Sequence, residues 1–289
     1  MSVFEKVRNI VGPKRYKKWR GIGYRLKFRL FHTYSIQEFK TFLKNELKIE
    51  DGDVVFVHSA MGKLNVDFSG YKLLTLLKEV VGSSGLLLFP GWHFNYRAEE
   101  YLKDKTNVFE SQKAITVMGL LNEMARRDKS SVRSLHPTNA IVALGNNATD
   151  FVKDHHTDIY PNGVKSPFYK SILPHSKIIG LGEPFDLCLS FVHCIEDVLG
   201  DDFPFPTRTD QVFEARVIDE KGEEIVVRTK AAHHRISERN VKSYVKNNFT
   251  EKEIRIFKRG MVDFFVADTI PFYQKMEELT KKGITIYNS

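Results

Sequence analysis

The chain has 289 residues, 42% of them hydrophobic, which is enough apolar material for a buried core in one large or two small domains. Its formal net charge of +8 at pH 7 attracts polyanions and repels polycations. Two cysteines argue against a disulfide-stapled secreted domain, and the longest apolar runs fall far short of the roughly 20 residues that span a bilayer, so we expect a cytoplasmic protein.

Residues 1–34 form a basic extension in which many lysines and arginines lie between aromatic residues. We predict a helical N-terminal extension with a solvated face. The same pattern also fits a basic module that binds nucleic acid or an anionic membrane without catalysis, and this alternative stays open, although neither partner is expected. Residues 35–289 contain no linker or repeat and are predicted to form a single domain.

From residue 35 onward, amphipathic stretches alternate with short apolar runs. A capping box at Ser35 and Glu38 predicts a helix through about residue 47. Apolar runs predict buried strands at 54–57, 86–89, 140–144 and 177–181, and helical spacing predicts helices at 71–81, 117–127 and about 149–153. A hairpin is predicted at 213–218 and 224–229, followed by helices at 251–257 and 269–282. This order indicates helices on both faces of a mostly parallel or mixed sheet.

His193 is followed three residues later by Glu196 in a segment of helical character, so that both side chains can project from one face. A carboxylate next to an imidazole fixes its tautomer and raises its basicity, which suits general-base catalysis near neutral pH. Asp186 is a second candidate for the orienting carboxylate. A buried histidine satisfied by a local carboxylate would show the same pattern, so a structural role stays open.

Other ligand classes leave no clear signature in the sequence. It contains no GxGxxG motif and no Walker loop, so neither a Rossmann cofactor nor a P-loop nucleotide is indicated. No metal is expected, because no set of ligands occurs at a recognisable spacing. Thr116 opens a predicted helix and Ser59 follows a predicted strand, and the start of a helix can bind phosphate groups.

The order of several short motifs resembles the aminoglycoside 3-N-acetyltransferase family, the coenzyme-A-dependent antibiotic N-acetyltransferases. These motifs are Val57-His58-Ser59, Gly119 to Glu123 with Arg126, Arg133-Ser134 with His136-Pro137, Ser166-Pro167, Gly182, Asp186, and His193 with Glu196. The resemblance implies a three-layer α/β/α fold with a mixed, mostly parallel central sheet, plus a C-terminal β-hairpin and helices. It also implies acyl transfer from acyl-CoA to a sugar amine, directly and without a covalent enzyme intermediate.

On this resemblance His193 is the catalytic base, oriented by Glu196 or Asp186. Coenzyme A is expected to contact two loops and one further serine: Ser59, Ala60, Met61, Lys63, Thr116, Val117, Gly119 and Ser134. The acceptor is expected to contact Trp92, His136, His233, His234 and Arg235. The pattern does not distinguish a monomer from a homodimer.

The sequence departs from the family where Ala60 and Asn65 replace a serine and a glycine, and where the basic segment 230–235 replaces acidic residues. Each pair of like charges at about 4 Å costs on the order of 4 kcal/mol at an effective dielectric of about 20, before screening. Because aminoglycosides are polycations, we predict a nucleotide-linked amino sugar of the kind consumed in surface-polysaccharide synthesis as the acceptor. An aminoglycoside acceptor, with antibiotic resistance as the function, is the alternative.

Overall fold

The computed structural model describes Gly12 and residues 30–288, so the predicted N-terminal extension lies almost entirely outside the described residues. The strands in the described part are β1 (Val54–Ser59), β2 (Leu86–Pro90), β3 (Val108–Glu110), β4 (Val132–Arg133), β5 (Ile141–Gly145), β6 (Ser176–Leu181), β7 (Arg208–Ile218), β8 (Glu224–Ala232), β9 (Ile254–Arg259) and β10 (Val262–Asp268).

The helices of the same residues are α1 (Ile36–Asn45), α2 (Gly70–Val81), α3 (Ala98–Lys103), α4 (Leu120–Arg126), α5 (Ala148–Val152), α6 (Pro167–Lys170), α7 (Phe185–Cys188), α8 (Cys194–Leu199), α9 (Val241–Asn248) and α10 (Thr269–Lys281). Short 3-10 helices lie at Met61–Lys63, His155–Thr157, Ser190–His193, Gly200–Asp202 and His234–Glu238. The predicted capping box is confirmed, because the Ser35 and Glu38 side chains each bond the backbone N–H of the other residue.

A seven-stranded central sheet has the order β4-β5-β2-β1-β6-β10-β9. The prediction of a mixed sheet is confirmed, but the expectation that it is mostly parallel is wrong. Only β1 with β2 and β1 with β6 pair in parallel, and the other four pairings are antiparallel. The reason lies partly in the connections, because β9 and β10 are joined by a tight turn at Gly260, whose φ of +58° favours glycine.

Two apolar cores lie on opposite faces of this sheet. Along β1, Val55 and Val57 belong to one core, which also contains side chains of α1 and α2. Phe56 belongs to the other core, together with side chains of α9 and α10. Successive residues of a strand point to opposite faces, so this alternation confirms the three-layer α/β/α arrangement.

The predicted hairpin is confirmed as the antiparallel pair β7 and β8, which forms a second sheet of three strands with β3. The predicted helix at 251–257 is wrong, because residues 254–259 form edge strand β9. Helix α9 was not predicted from the sequence. Within the described residues, no helix has both the length and the apolar character needed to cross a membrane.

Candidate functional site

A pocket of about 700 Å³ lies between the three-stranded sheet and the loops that follow strands of the central sheet. Its walls come from the segment after β2, the loop before α4, the loop after β4, the 3-10 helix that ends at His193, and the segment that follows β8. The lining residues are Trp92, Phe94, Asn95, Tyr96, Arg97, Ala98, Val117, Met118, Thr138, Asn139, Asn162, Ser190, His193, Arg208, Ala232, His233, His234, Ile236, Ser237 and Arg239.

His193 ends the 3-10 helix and Glu196 lies in the first turn of α8, so the two side chains meet across a helix junction. Glu196 Oε1 lies 2.9 Å from His193 Nδ1. When the carboxylate accepts this hydrogen bond, Nδ1 carries the ring proton and Nε2 is left with the lone pair. The Glu196 side chain is 1% exposed and that of His193 is 14% exposed. This pair therefore has the geometry of an oriented general base at a pocket wall.

Asp186, the other predicted orienting carboxylate, has no hydrogen bond or ion pair with His193 in the described residues. It lies in the first turn of α7, before the segment that leads to His193. The structure therefore pairs His193 with Glu196 and not with Asp186.

A buried ion pair supports the pocket floor. Arg208 donates two hydrogen bonds of 2.6 Å to Asp197, and the backbone N–H of Asn162 donates a third to the same carboxylate. Asn162 in turn accepts a hydrogen bond from the Asn139 side chain over 3.0 Å. Because Arg208, Asn162 and Asn139 all line the pocket, Asp197 fixes the floor without reaching the pocket itself.

The two loops that were predicted to bind coenzyme A lie against each other. A Cβ atom built on Gly119 would lie 3.5 Å from the carbonyl oxygen of Ser59. Gly119 has a φ of +117° and forms the N-cap of α4, so the helix starts three residues later than predicted. Ser59 Oγ is buried without a hydrogen-bond partner in the described residues, and Lys63 is paired with Glu183 over 2.5 Å.

Three residues that were predicted to contact coenzyme A or the acceptor have buried side chains with hydrogen-bond partners inside the protein. Ser134, assigned to coenzyme A, is 1% exposed and bonds the backbone N–H of Ile141 and the His155 ring. Thr116, also assigned to coenzyme A, donates its hydroxyl proton to the carbonyl of Trp92. His136, assigned to the acceptor, is fully buried, and its Nδ1 accepts the backbone N–H of Asn139. These residues shape the pocket from behind its wall.

The other predicted acceptor contacts divide in two. Trp92, His233 and His234 line the pocket. Arg235 does not, because its guanidinium pairs with Glu238 over 2.8 Å and stacks on the Phe205 ring. Arg208 and Arg239 also line the pocket, and the sequence analysis did not identify them. Arg208 lies in β7, and Arg239 directly follows the 3-10 helix His234–Glu238. No local motif marks either residue.

The pocket wall carries positive charge, and its lining residues include no aspartate or glutamate. Arg97 is paired with Glu99 over 3.2 Å and Arg208 with Asp197, whereas Arg239 forms no ion pair with any described residue. Burial, followed by the charges of His234 and Arg235, lowers the pKa of His233. In the described part of the chain, no three histidine, cysteine, aspartate or glutamate side chains are grouped so that they could hold a metal ion.

Comparison with known proteins gives relatives of one kind. A curated relative, the aminoglycoside N(3)-acetyltransferase IX of Micromonospora chalcea, is 28% identical over 154 residues, which are 49% of this chain and 54% of the relative. The chain thus spans about half the length of that relative. Among solved structures, the aminoglycoside acetyltransferase AAC(3)-Xa has a TM-score of 0.74 at 19% identity, covering 93% of this chain and 99% of its own.

A second solved structure, AAC-IIIb in a binary complex with CoASH, has a TM-score of 0.71 at 20% identity and covers 88% of this chain and 98% of its own. At such identities the two structures show a shared fold. The sequence itself matches the profile of the aminoglycoside 3-N-acetyltransferase family over residues 56–280, which is well over half of the chain. The chain therefore belongs to the aminoglycoside 3-N-acetyltransferase family.

Proposed function

We propose that the protein is an N-acyltransferase that moves an acetyl group from acetyl-CoA to the amino group of a sugar. The observation that carries this proposal is the His193 ring, whose Nδ1 bonds the buried Glu196 and whose Nε2 has no hydrogen-bond partner among the described residues. A base at the wall of a pocket is the group that amine acylation requires, because an ammonium cannot attack a thioester.

In the proposed reaction, Nε2 of His193 takes one proton from the acceptor nitrogen as it adds to the thioester carbonyl, and an acceptor that enters as an ammonium releases its other proton to solvent. The amide C–N bond forms, the C–S bond breaks, and coenzyme A leaves as the thiolate, which can accept the proton held by the imidazole. Glu196 stabilises the imidazolium through the Nδ1 proton. Direct transfer within a ternary complex needs no nucleophile from the protein.

Acetyl-CoA is proposed as the donor because a solved relative is a binary complex with CoASH. The close approach of Gly119 to the Ser59 carbonyl supports this donor, since it places the two predicted coenzyme loops side by side. Val117 and Met118 continue one of these loops into the pocket that His193 lines.

For the acceptor, the comparisons favour an aminoglycoside, the alternative in the sequence analysis, over a nucleotide-linked amino sugar. The curated relative is named as an aminoglycoside acetyltransferase, and the family carries the same description. An aminoglycoside is therefore the first acceptor to test.

One observation favours a nucleotide-linked amino sugar as the second candidate. The pocket wall contains Arg97, Arg208 and Arg239 and no carboxylate among its described lining residues. Arg97 and Arg208 are paired with carboxylates behind the wall, so a polycation would meet the uncompensated charge of Arg239, whereas a pyrophosphate would be attracted to it. Arg239 is the residue best placed for this role, because its charge is not neutralised by a described neighbour.

The experiment follows the release of free thiol from acetyl-CoA with a disulfide reagent, separately with an aminoglycoside, with a nucleoside-diphosphate amino sugar and without acceptor. Mass spectrometry of the product would show whether an amine gained an acetyl group, and His193→Ala serves as the matched inactive control. Faster turnover of one acceptor selects that candidate. Thiol release that neither amine raises above the rate without acceptor would contradict the proposed function.

A further inference from the structure

The carboxylate that orients His193 has a second hydrogen-bond donor near the C-terminal end of the chain. The Tyr287 hydroxyl donates to Glu196 Oε1 over 3.0 Å, and His193 Nδ1 lies 2.9 Å from the same oxygen. Tyr287 lies beyond residues 56–280, so the family match does not include it.

The position of the Tyr287 hydroxyl is fixed by packing. Its ring stacks on Phe205, with ring centroids 3.9 Å apart and planes inclined by 3°. The chain on either side is also held, because the carbonyl of Ile286 accepts the backbone N–H of Asn240 and the backbone N–H of Thr285 bonds the Asn288 side chain. Because packing already restricts the side chain, the hydrogen bond to Glu196 costs little additional conformational entropy.

Glu196 depends on such donors because it is buried. Its side chain is 1% exposed, and its Oε2 has no hydrogen-bond partner in the described residues. An ionised carboxylate in this setting is costly unless its oxygens accept hydrogen bonds. Burial, and then the charge of Glu196, raise the pKa of Tyr287, so its hydroxyl stays protonated and able to donate at neutral pH, while the charges of Arg208 and Arg239 oppose this shift.

We propose that Tyr287 is a positioning residue for the base, a role that rests on the proposed function. By donating to Oε1, Tyr287 holds the Glu196 carboxylate in the orientation that accepts the Nδ1 proton of His193. That orientation keeps the lone pair of Nε2 directed away from Glu196 and available to the acceptor amine.

The test compares Tyr287→Phe with Tyr273→Phe. Both remove one hydroxyl from the C-terminal part of the chain, but the Tyr273 hydroxyl is buried without a hydrogen-bond partner in the described residues. With the acceptor that the wild type turns over, Tyr287→Phe should lower kcat about tenfold, the scale of one hydrogen bond to a charged group, and leave both KM values within about twofold. Tyr273→Phe should keep the wild-type kcat. An equal fall in both variants, or none in Tyr287→Phe, would overturn the proposal.

A second measurement does not depend on activity. In protein with ¹⁵N-labelled histidine, the long-range ¹H–¹⁵N correlations of His193 should show one tautomer, protonated on Nδ1, in the wild type and in Tyr273→Phe. In Tyr287→Phe they should show a mixture of tautomers. A wild-type ring protonated on Nε2, or an unchanged tautomer in Tyr287→Phe, would refute the role of Tyr287. If no amine is acylated, the proposed function fails, while the tautomer still decides the role of Tyr287.

Discussion

Replacing Asp197 by asparagine is expected to lower the free energy of unfolding by about 3–5 kcal/mol, because it leaves a buried guanidinium without its counter-charge. The Asp197 carboxylate accepts two hydrogen bonds of 2.6 Å from Arg208, and the side chains are 0% and 7% exposed, respectively. Asparagine keeps the shape of the side chain but removes the charge and one acceptor. The hydrogen bonds that hold Arg208 and Asn162 in the pocket floor should therefore weaken as well.

Glu224→Gln supplies a control with the same bonding pattern at the surface. Glu224 accepts two hydrogen bonds from Arg216, of 2.7 and 2.9 Å, but the two side chains are 44% and 50% exposed. Water and salt screen such a pair, so the same loss of charge should cost about 0–1 kcal/mol. The difference between the two variants measures the effect of burial.

Urea unfolding at pH 7.5, followed by circular dichroism and by tryptophan fluorescence, gives both free energies, provided that the two probes coincide and the m-values agree. A loss in Asp197→Asn no larger than in Glu224→Gln would refute the reasoning. Burial raises the pKa of Asp197, and the charge of Arg208 opposes this shift.

Three further predictions concern the base, the buried imidazoles and the sheet. His193→Ala should lower kcat by roughly 100-fold or more, and Glu196→Gln should lower it by less because the imidazole is kept. The rate of thiol release measures both effects. A folded His193→Ala variant with the wild-type rate would show that His193 is not the general base. Burial lowers the pKa of His155 to about 3, so the stability that its neutral ring contributes is complete above pH 6.5 and is lost as the pH falls towards 3. His155→Gln should therefore lose about 2 kcal/mol less than the wild type between pH 7 and pH 5 in urea unfolding, and an equal loss would contradict the assignment. Gly180→Ala should cost about 1–3 kcal/mol, because a Cβ there would lie 2.0 Å from the Phe265 ring; unchanged unfolding would show that the ring moves aside without cost.

The layers of the fold could be predicted from the sequence because apolar runs and helical spacing are local signals. Strand β1, the capping box at Ser35 and the β7–β8 hairpin all follow from such signals. Strand direction is not local, since it depends on which strands become neighbours. The error at 251–257 has a physical cause as well. Strand β9 lies at the edge of the sheet and carries several charged residues, and its apolar residues Ile254 and Phe257 are three positions apart, which is also the spacing of one helix face.

The site was predictable where its residues lie close in sequence. His193 and Glu196 are three positions apart, so their pairing follows from chain geometry. The burial of individual side chains could not be predicted in the same way. His136 and Ser134 belong to a motif of polar residues, yet both are buried, and His136 stacks on the His155 ring at 4.7 Å. Arg208 and Arg239 reach the pocket only through the packing of distant segments, which no spacing reveals.

Two neighbouring carboxylates in α8 are both buried, and their different partners explain why only one can serve the base. Asp197 is neutralised by Arg208, so it adds little net charge to its surroundings. Glu196 has no ion pair with a lysine or arginine in the described residues, and its oxygen faces His193 Nδ1. An imidazolium that forms when His193 takes a proton from an amine would therefore meet an uncompensated negative charge in a site of low dielectric. Because that charge stabilises the imidazolium more than the neutral ring, Glu196 favours transfer of the proton from the amine to His193.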